Sequence, residues 1–262
     1  MEKKTVKIIS YSDLHLEFGT DFRPPADSDA DVMILAGDII TCRDYTPLSY
    51  FLQDWHKPVL YVMGNHEYYT RRPILREDRD FRQWLANKHP NVTLLLDESV
   101  RIDGIHFFGG TMWTNFDGGN PLAMFTAQQQ MNDYTMISLA DGCRLTPTAT
   151  LDFHKVYKDK LTAWFDNGEI GIRVVISHHA PVINPNTKFK NSPIWPAYNS
   201  LDMRPLIERY QPALWVYGHT HECDDQMIGA TRVISNQSGY PSRQRQFECA
   251  DFDPQGRMME II

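Results

Sequence analysis

Short apolar runs recur along this chain, and most of them stop at a polar cluster. Val6 to Ile9, Val32 to Leu35, Val59 to Val62, Val174 to Ile176 and Leu214 to Tyr217 are nearly unbroken stretches of aliphatic and aromatic residues. Runs this short suit strands of a sheet covered on both faces, which has no polar side to alternate with. Between the early runs the spacing turns helical. A helix is expected near 46–55, and a charged amphipathic helix at about 73–88 stops at His89-Pro90-Asn91. Strand and helix alternate through the first ninety residues, which predicts a parallel sheet with helices packed over it.

The middle of the chain changes character. Thr93 to Leu96, Ser99 to Ile102 and Ile105 to Gly109 read as short antiparallel pieces of a second sheet, the last two joined by an Asp103-Gly104 turn. Gly118-Gly119-Asn120-Pro121 breaks the chain, and a helix is expected over 121–131. Thr146 is a suitable N-cap, with Pro147 as the first residue of a long helix ending about Asn167-Gly168. Residues 172–177 read as strand. The stretch 181–199 carries four prolines and four asparagines and reads as a long loop. A helix at 201–210, a strand at 213–217 and short strands near 226–229, 231–235, 246–252 and 257–262 complete the pattern. No internal repeat or linker interrupts it. One domain over 1–262, built on two sheets with a cap insertion at about 112–134, is the simplest reading.

Composition narrows the classes. A chain of 262 residues that is 42% hydrophobic can bury a full core. The net charge of −7 and a pI near 5.8 give no general attraction for nucleic-acid backbones. Neither a signal peptide nor a membrane-spanning run is read in the sequence, so no membrane partner is expected, and the cytoplasm is the expected location. Oligomeric state leaves no trace in the pattern. Cys42, Cys143, Cys223 and Cys249 form no CxxC pair and are read as small buried hydrophobes, with Cys223 notable for its closeness to His221.

The polar clusters that end the apolar runs carry the chemistry. In order they are Asp13-Leu14-His15, Gly37-Asp38, Gly64-Asn65-His66-Glu67, His178-His179 and Gly218-His219-Thr220-His221. Strands that lie side by side bring their ends together, so these clusters are expected to converge on one sheet edge. Asp, Asn and His are ligands for hard or borderline divalent ions. The set is large enough for two ions, an arrangement that usually means phosphoryl chemistry. A glycine precedes Asp38, Asn65 and His219, letting the backbone bend sharply into a site.

Taken together, the five clusters resemble the calcineurin-like metallophosphoesterase superfamily, whose pattern is D-x-H, G-D, G-N-H-D/E, a later His and G-H-x-H. All the blocks occur here in order across residues 13–221. The resemblance implies an α/β fold, a four-layer αββα sandwich of two mixed sheets with a metal site at strand ends. It implies two divalent ions, Mn, Fe or Zn. One ion takes Asp13, His15 and His221, the other takes Asn65, His178 and His219, and Asp38 bridges them. It makes His66 the catalytic histidine and Glu67 the acid that orients it. The protein-phosphatase signature G-D-x-V-D-R-G is absent, because the chain reads Gly37-Asp38-Ile39-Ile40-Thr41-Cys42-Arg43.

The expected activity is hydrolysis of a small phosphodiester or phosphomonoester by a metal-bridging hydroxide, with His66 binding the phosphate or protonating the leaving alkoxide. A nuclease of the same superfamily and a non-catalytic scaffold are the alternatives. The acidic total weighs against the first, and the complete ligand set against the second. Trp113, Asn132, Trp195 and Tyr198, in the two segments that interrupt the regular pattern, are the residues suited to holding the body of the substrate. Tyr68-Tyr69 and Arg71-Arg72 are read as pocket-mouth residues or a solvated run. Asn236, Gly239 and Tyr240 are read as a turn beside the last metal block. His56, His89, His106 and His154 are read as structural.

Overall fold

The computed structural model describes residues 5–19, 21–168, 170–241 and 247–261. In chain order the first elements are β1 (Val6–Tyr11), β2 (Val32–Leu35), α1 (Thr46–Phe51), β3 (Val59–Val62), α2 (Ile74–Lys88), β4 (Val92–Leu95), β5 (Glu98–Ile102) and β6 (Ile105–Gly110). A helical segment follows, made of α3 (Phe116–Gly119), α4 (Pro121–Gln130) and α5 (Asp133–Met136), with a small hairpin of β7 (Ser138–Ala140) and β8 (Cys143–Arg144). The chain ends with α6 (Pro147–Asp166), β9 (Arg173–Ser177), α7 (Arg204–Tyr210), β10 (Leu214–Tyr217), β11 (Asp224–Ile228), β12 (Thr231–Ser235) and β13 (Arg257–Ile261). Thr146 caps α6 as expected, its side chain accepting from the Ala149 N–H.

Two mixed sheets form from these strands. One has the order β13-β1-β2-β3-β4 and the other β11-β12-β10-β9-β6-β5. The inner strands of both run parallel, and β13, β11 and β5 pair antiparallel with their neighbours. Strand alternation sorts the apolar side chains into layers. Val6, Ile8, Ile34, Leu60 and Val62 meet Phe107, Val174, Ile176 and Val216 between the sheets. Ile9, Tyr11, Met33 and Tyr61 face outward onto Leu48 and Phe51 of α1 and Phe81 and Leu85 of α2. Phe108, Val175, Trp215 and Val233 do the same beneath Tyr157 and Leu161 of α6 and Ile207 of α7. The result is an αββα sandwich. Each large apolar side chain buried this way contributes about 1.5–3 kcal/mol, so a one-residue slip of register would cost several such terms at once.

Three expectations change. Residues 92–95 do not join the second sheet; β4 pairs parallel with β3 at the edge of the first, while β5 and β6 form the expected antiparallel pair. Leu94 packs in the outer core of the first sheet and Leu95 in the layer between the sheets, so both faces of β4 are used there. The strand expected at 246–252 is not seen over 247–252, which runs irregularly across the site; residue 246 lies outside the described residues. Cys143 is exposed rather than buried, at the turn end of the small β7–β8 hairpin, whereas Cys42 and Cys249 are buried. No helix among the described residues is long and apolar enough to cross a membrane.

Candidate active site

The loops that leave the carboxyl ends of β1, β2, β3, β9 and β10 meet at one edge of the sandwich, the place where parallel sheets commonly bind ligands. Backbone hydrogen bonds tie them together. Asp13 N–H donates to Gly37 C=O and His15 N–H to Asp38 C=O, each at 3.0 Å, and Gly218 N–H donates to His178 C=O at 2.9 Å. Asp13, His15, Asp38, His219 and His221 all adopt left-handed backbone, with φ between 45° and 72°. Side chains rarely accept that conformation, and its concentration at one place marks a site where position matters more than local comfort. Gly37 and Gly64 are required by close approach: a Cβ on Gly37 would lie 2.5 Å from His178 Nδ1, and one on Gly64 would lie 2.1 Å from Asp38 Oδ1.

The side chains gather into two neighbouring groups. In one, His178 Nε2 lies 3.0 Å from Asn65 Oδ1, 3.3 Å from Asp38 Oδ1 and 3.2 Å from His219 Nδ1, and His219 Nδ1 is 3.1 Å from Asn65 Oδ1. In the other, His221 Nε2 lies 3.1 Å from His15 Nε2 and 3.5 Å from Asp13 Oδ1. Asp38 places a carboxylate oxygen within 4.8 Å of His178 and His219, and also of His15 and His66. In His178 and His221 the far ring nitrogen is occupied, which leaves the inner nitrogen free to ligate. His178 Nδ1 faces the Ala36 carbonyl at 2.9 Å, and His221 Nδ1 faces Glu248 Oε2 at 2.8 Å. Such outer partners fix the tautomer of a metal-binding histidine. Nitrogen and carboxylate donors of this kind, with Asp38 near His178 and His219 on one side and His15 and His66 on the other, fit a divalent metal site.

The charges are strongly coupled. Burial opposes ionisation of Asp38, yet His178, His66 and His15 around it hold its carboxyl well below the usual range. Burial likewise opposes protonation of His178, but Asp38 outweighs it and raises that imidazole to about 10. His66 is raised to about 9 against the same opposition, by Asp38 and Glu17. His219 moves the other way, pushed down by burial and by His179 and His178.

Several supporting residues differ from the expected roles. Glu67 does not orient His66. It is fully buried beneath the loops and accepts from the Asp38, Ile39 and Gly64 N–H groups and from the Tyr61 hydroxyl, at 2.6–3.0 Å. Burial, then Asp38, raises it to about 7. The carboxylate against His66 is Glu17, whose Oε1 lies 3.2 Å from His66 Nδ1 and 3.5 Å from His15 Nδ1. Asp133 accepts from Asn65 Nδ2 and from the Tyr69 hydroxyl, at 2.9 and 2.5 Å. No sequence pattern signals Glu17 or Glu248, and only the polar triplet Asn132-Asp133-Tyr134 points near Asp133.

A cleft of about 380 Å³ opens over Asp38, Asn65, His66, His219 and His221. Asn132, Trp195 and Tyr198 line it together with Phe189 and Tyr240. Tyr198 stacks on His219 at 4.7 Å and Trp195 on Tyr198 at 5.3 Å, so an aromatic wall runs outward from His219. Trp113 is elsewhere. It is 6% exposed, packs among Tyr68, Phe153 and His179 and does not line the cleft. Tyr69 lines the cleft, but Tyr68 is buried against Asp78, and Arg72 is paired with Glu77. His154 is a structural histidine, held between the Met112 carbonyl and Asp202.

Comparison with known proteins gives the family and the fold. A family model described as calcineurin-like phosphoesterase matches residues 7–223. The chain is 28% identical over 271 residues to an uncharacterized protein of Acanthamoeba polyphaga mimivirus, covering 92% of this chain and 94% of that one. It is 26% identical over 227 residues to a UPF0046 protein of Caenorhabditis elegans, covering 83% of this chain and 64% of the relative. Among solved structures, the phosphopantetheinyl hydrolase of Mycobacterium tuberculosis superposes with a TM-score of 0.70 at 17% identity, over 91% of each chain. A protein of Thermus thermophilus superposes with a TM-score of 0.57 at 14% identity, over 89% of this chain and 90% of that one. These two structures share the sandwich fold with this chain.

Proposed function

The chain belongs to the calcineurin-like metallophosphoesterase superfamily, and from that premise we propose that it hydrolyses a small phosphodiester or phosphomonoester with the help of two divalent metal ions. Asp13, His15 and His221 would hold one ion and Asn65, His178 and His219 the other, with Asp38 between them. The observation that carries this reading is the place of Asp38, whose carboxylate lies within 4.8 Å of ring nitrogens of His178 and His219 on one side and of His15 on the other. Mn²⁺, Fe and Zn²⁺ all accept such nitrogen and oxygen donors. Bound there, a metal pair supplies Lewis-acid activation of water and of the phosphoryl group.

The remaining work falls to the chain's own residues. Glu17 holds Nδ1 of His66, which leaves Nε2 facing the cleft as the atom that hydrogen-bonds the phosphate or protonates the leaving oxygen. The wall of Phe189, Trp195 and Tyr198 holds the organic body, with Asn132 as a polar contact in the same cleft. Lys188 is the one Lys or Arg among the described lining residues, against the carboxylates Asp38, Asp133 and Glu248. That balance favours a small ester over a nucleic-acid strand, which needs a row of cations along its backbone.

Metal analysis joined to a screen of phosphate esters tests the reading. The protein is expected to carry about two ions per chain and to turn over at least one ester. Asp38→Asn is expected to weaken both ions, since it removes the shared ligand. Full metal content and full activity in that variant would remove Asp38 from the role given to it.

A further inference from the structure

We propose that Tyr240 is a second catalytic residue of the phosphoesterase reaction, its hydroxyl contacting the leaving oxygen of the ester beside His66. The inference rests on the hydrolase reading above. Tyr240 lies just past β12, where the sequence suggests only a turn, yet its backbone is fixed to the metal-binding loops. Gly239 has a φ of 71°, and a Cβ there would lie 2.6 Å from Glu248 Oε2, so the chain passes tightly against that carboxylate. Tyr240 N–H donates to the same Oε2 at 2.8 Å, and His221 Nδ1 reaches it at 2.8 Å. Cys249 N–H donates to the Ser238 carbonyl at 3.0 Å and closes the turn. One carboxylate therefore keys Tyr240 to a residue expected to bind metal.

The ring is held from three sides. It stacks on His15 with centroids 4.4 Å apart and planes at 26°, and it meets the edges of His221 at 4.7 Å and Phe18 at 5.8 Å. That packing aims the hydroxyl at His66 Nε2, 2.9 Å away. Because Glu17 occupies His66 Nδ1, Nε2 is the nitrogen that faces the cleft. Tyr240 is 42% exposed and lines the cleft together with His66 and Asp38. A hydroxyl and an imidazole nitrogen this close can approach a single oxygen from two directions. In an in-line displacement the leaving oxygen gains charge as its bond to phosphorus lengthens, and a fixed donor beside it stabilises the transition state more than the ground state.

The ring and the hydroxyl can be tested separately, since Tyr240→Phe keeps every ring contact. Turnover is measured on a series of phosphate esters running from nitrophenyl to alkyl leaving groups, in wild type, Tyr240→Phe, His66→Ala and the double variant, with metal content determined for each. Tyr240→Phe is expected to keep its metals and to lose about 10²-fold in kcat on alkyl esters, with little loss on nitrophenyl esters. The double variant is expected to be no slower than His66→Ala, as for residues acting on one atom together. An equal loss on all leaving groups, a fully additive double variant, no loss at all, or a drop in metal content would each overturn the proposal. Wild-type protein inactive on every ester would instead overturn the hydrolase reading beneath it.

Discussion

Asp133 accepts a hydrogen bond from Asn65 Nδ2 at 2.9 Å and so decides which end of that amide faces the histidines. With the nitrogen turned to Asp133 and to Tyr69, the carbonyl oxygen points at His178 and His219. The helical segment after β6 thus reaches into the site through a buried carboxylate. Outer partners of metal ligands typically matter about 10–100-fold in affinity. Asp133→Ala is expected to lose metal to a chelator at correspondingly lower concentration, while Asp133→Asn, which keeps an acceptor oxygen, is expected to lose less. Unchanged competition curves for Asp133→Ala would show that Asn65 orients itself.

His66 stands close enough to Asp38 and His15 that its role needs separating from theirs. In the proposed arrangement it lies outside the ligand shell, so its loss is expected to lower the rate and to spare metal content. His66→Ala is expected to keep its ions and to lose about 10²–10⁴-fold in turnover, most on poor leaving groups. Loss of an ion together with activity would move His66 into the shell.

The two tryptophans of the irregular segments are expected to behave differently. Trp195 lines the cleft, so Trp195→Ala is expected to raise KM for the native ester and to leave a small generic ester nearly unaffected. Trp113 is packed inside, so Trp113→Ala is expected to cost about 3–5 kcal/mol of stability before it alters selectivity. Denaturant titration and steady-state kinetics on both variants read the two effects. Equal KM changes from both would put them in one role.

Asp78 offers a test away from the candidate metal site. Burial raises its carboxyl to about 6, although the Tyr68 hydroxyl donates to it at 2.7 Å. A carboxyl whose folded pKa lies above its unfolded value of about 3.9 contributes stability that is full below that value. The contribution is lost as pH rises through about 6. At neutral pH the ionised group therefore costs on the order of 2–3 kcal/mol. Asp78→Asn keeps an acceptor for Tyr68 and cannot ionise. Its Tm is expected to exceed that of wild type at pH near 7, with the gap closing toward pH near 4. A gap that does not change with pH would mean the burial of Asp78 is not felt.

The sequence alone determined most of the strands and longer helices and the polar blocks at the strand ends, because each is written locally. An apolar run such as Val32 to Leu35 announces a doubly covered strand by itself, and Gly37-Asp38 sits at its end whatever the rest of the chain does. The tertiary structure decided what depends on distant partners. Local alternation in residues 92–95 does not say which sheet they join; pairing with β3 does. Glu67 stands next to His66 in sequence but turns beneath the loops to meet Asp38, Ile39 and Gly64, and Glu17 takes its expected place from 49 positions away. Asp133 reaches Asn65 across 68 positions and Tyr240 reaches His66 across 174. Trp113 and Trp195 are both isolated aromatics in irregular segments, and only packing puts one inside and the other on the cleft wall. Side-chain hydrogen bonds and burial depend on how the two sheets and their loops close on one another, and residue spacing along the chain carries no record of that.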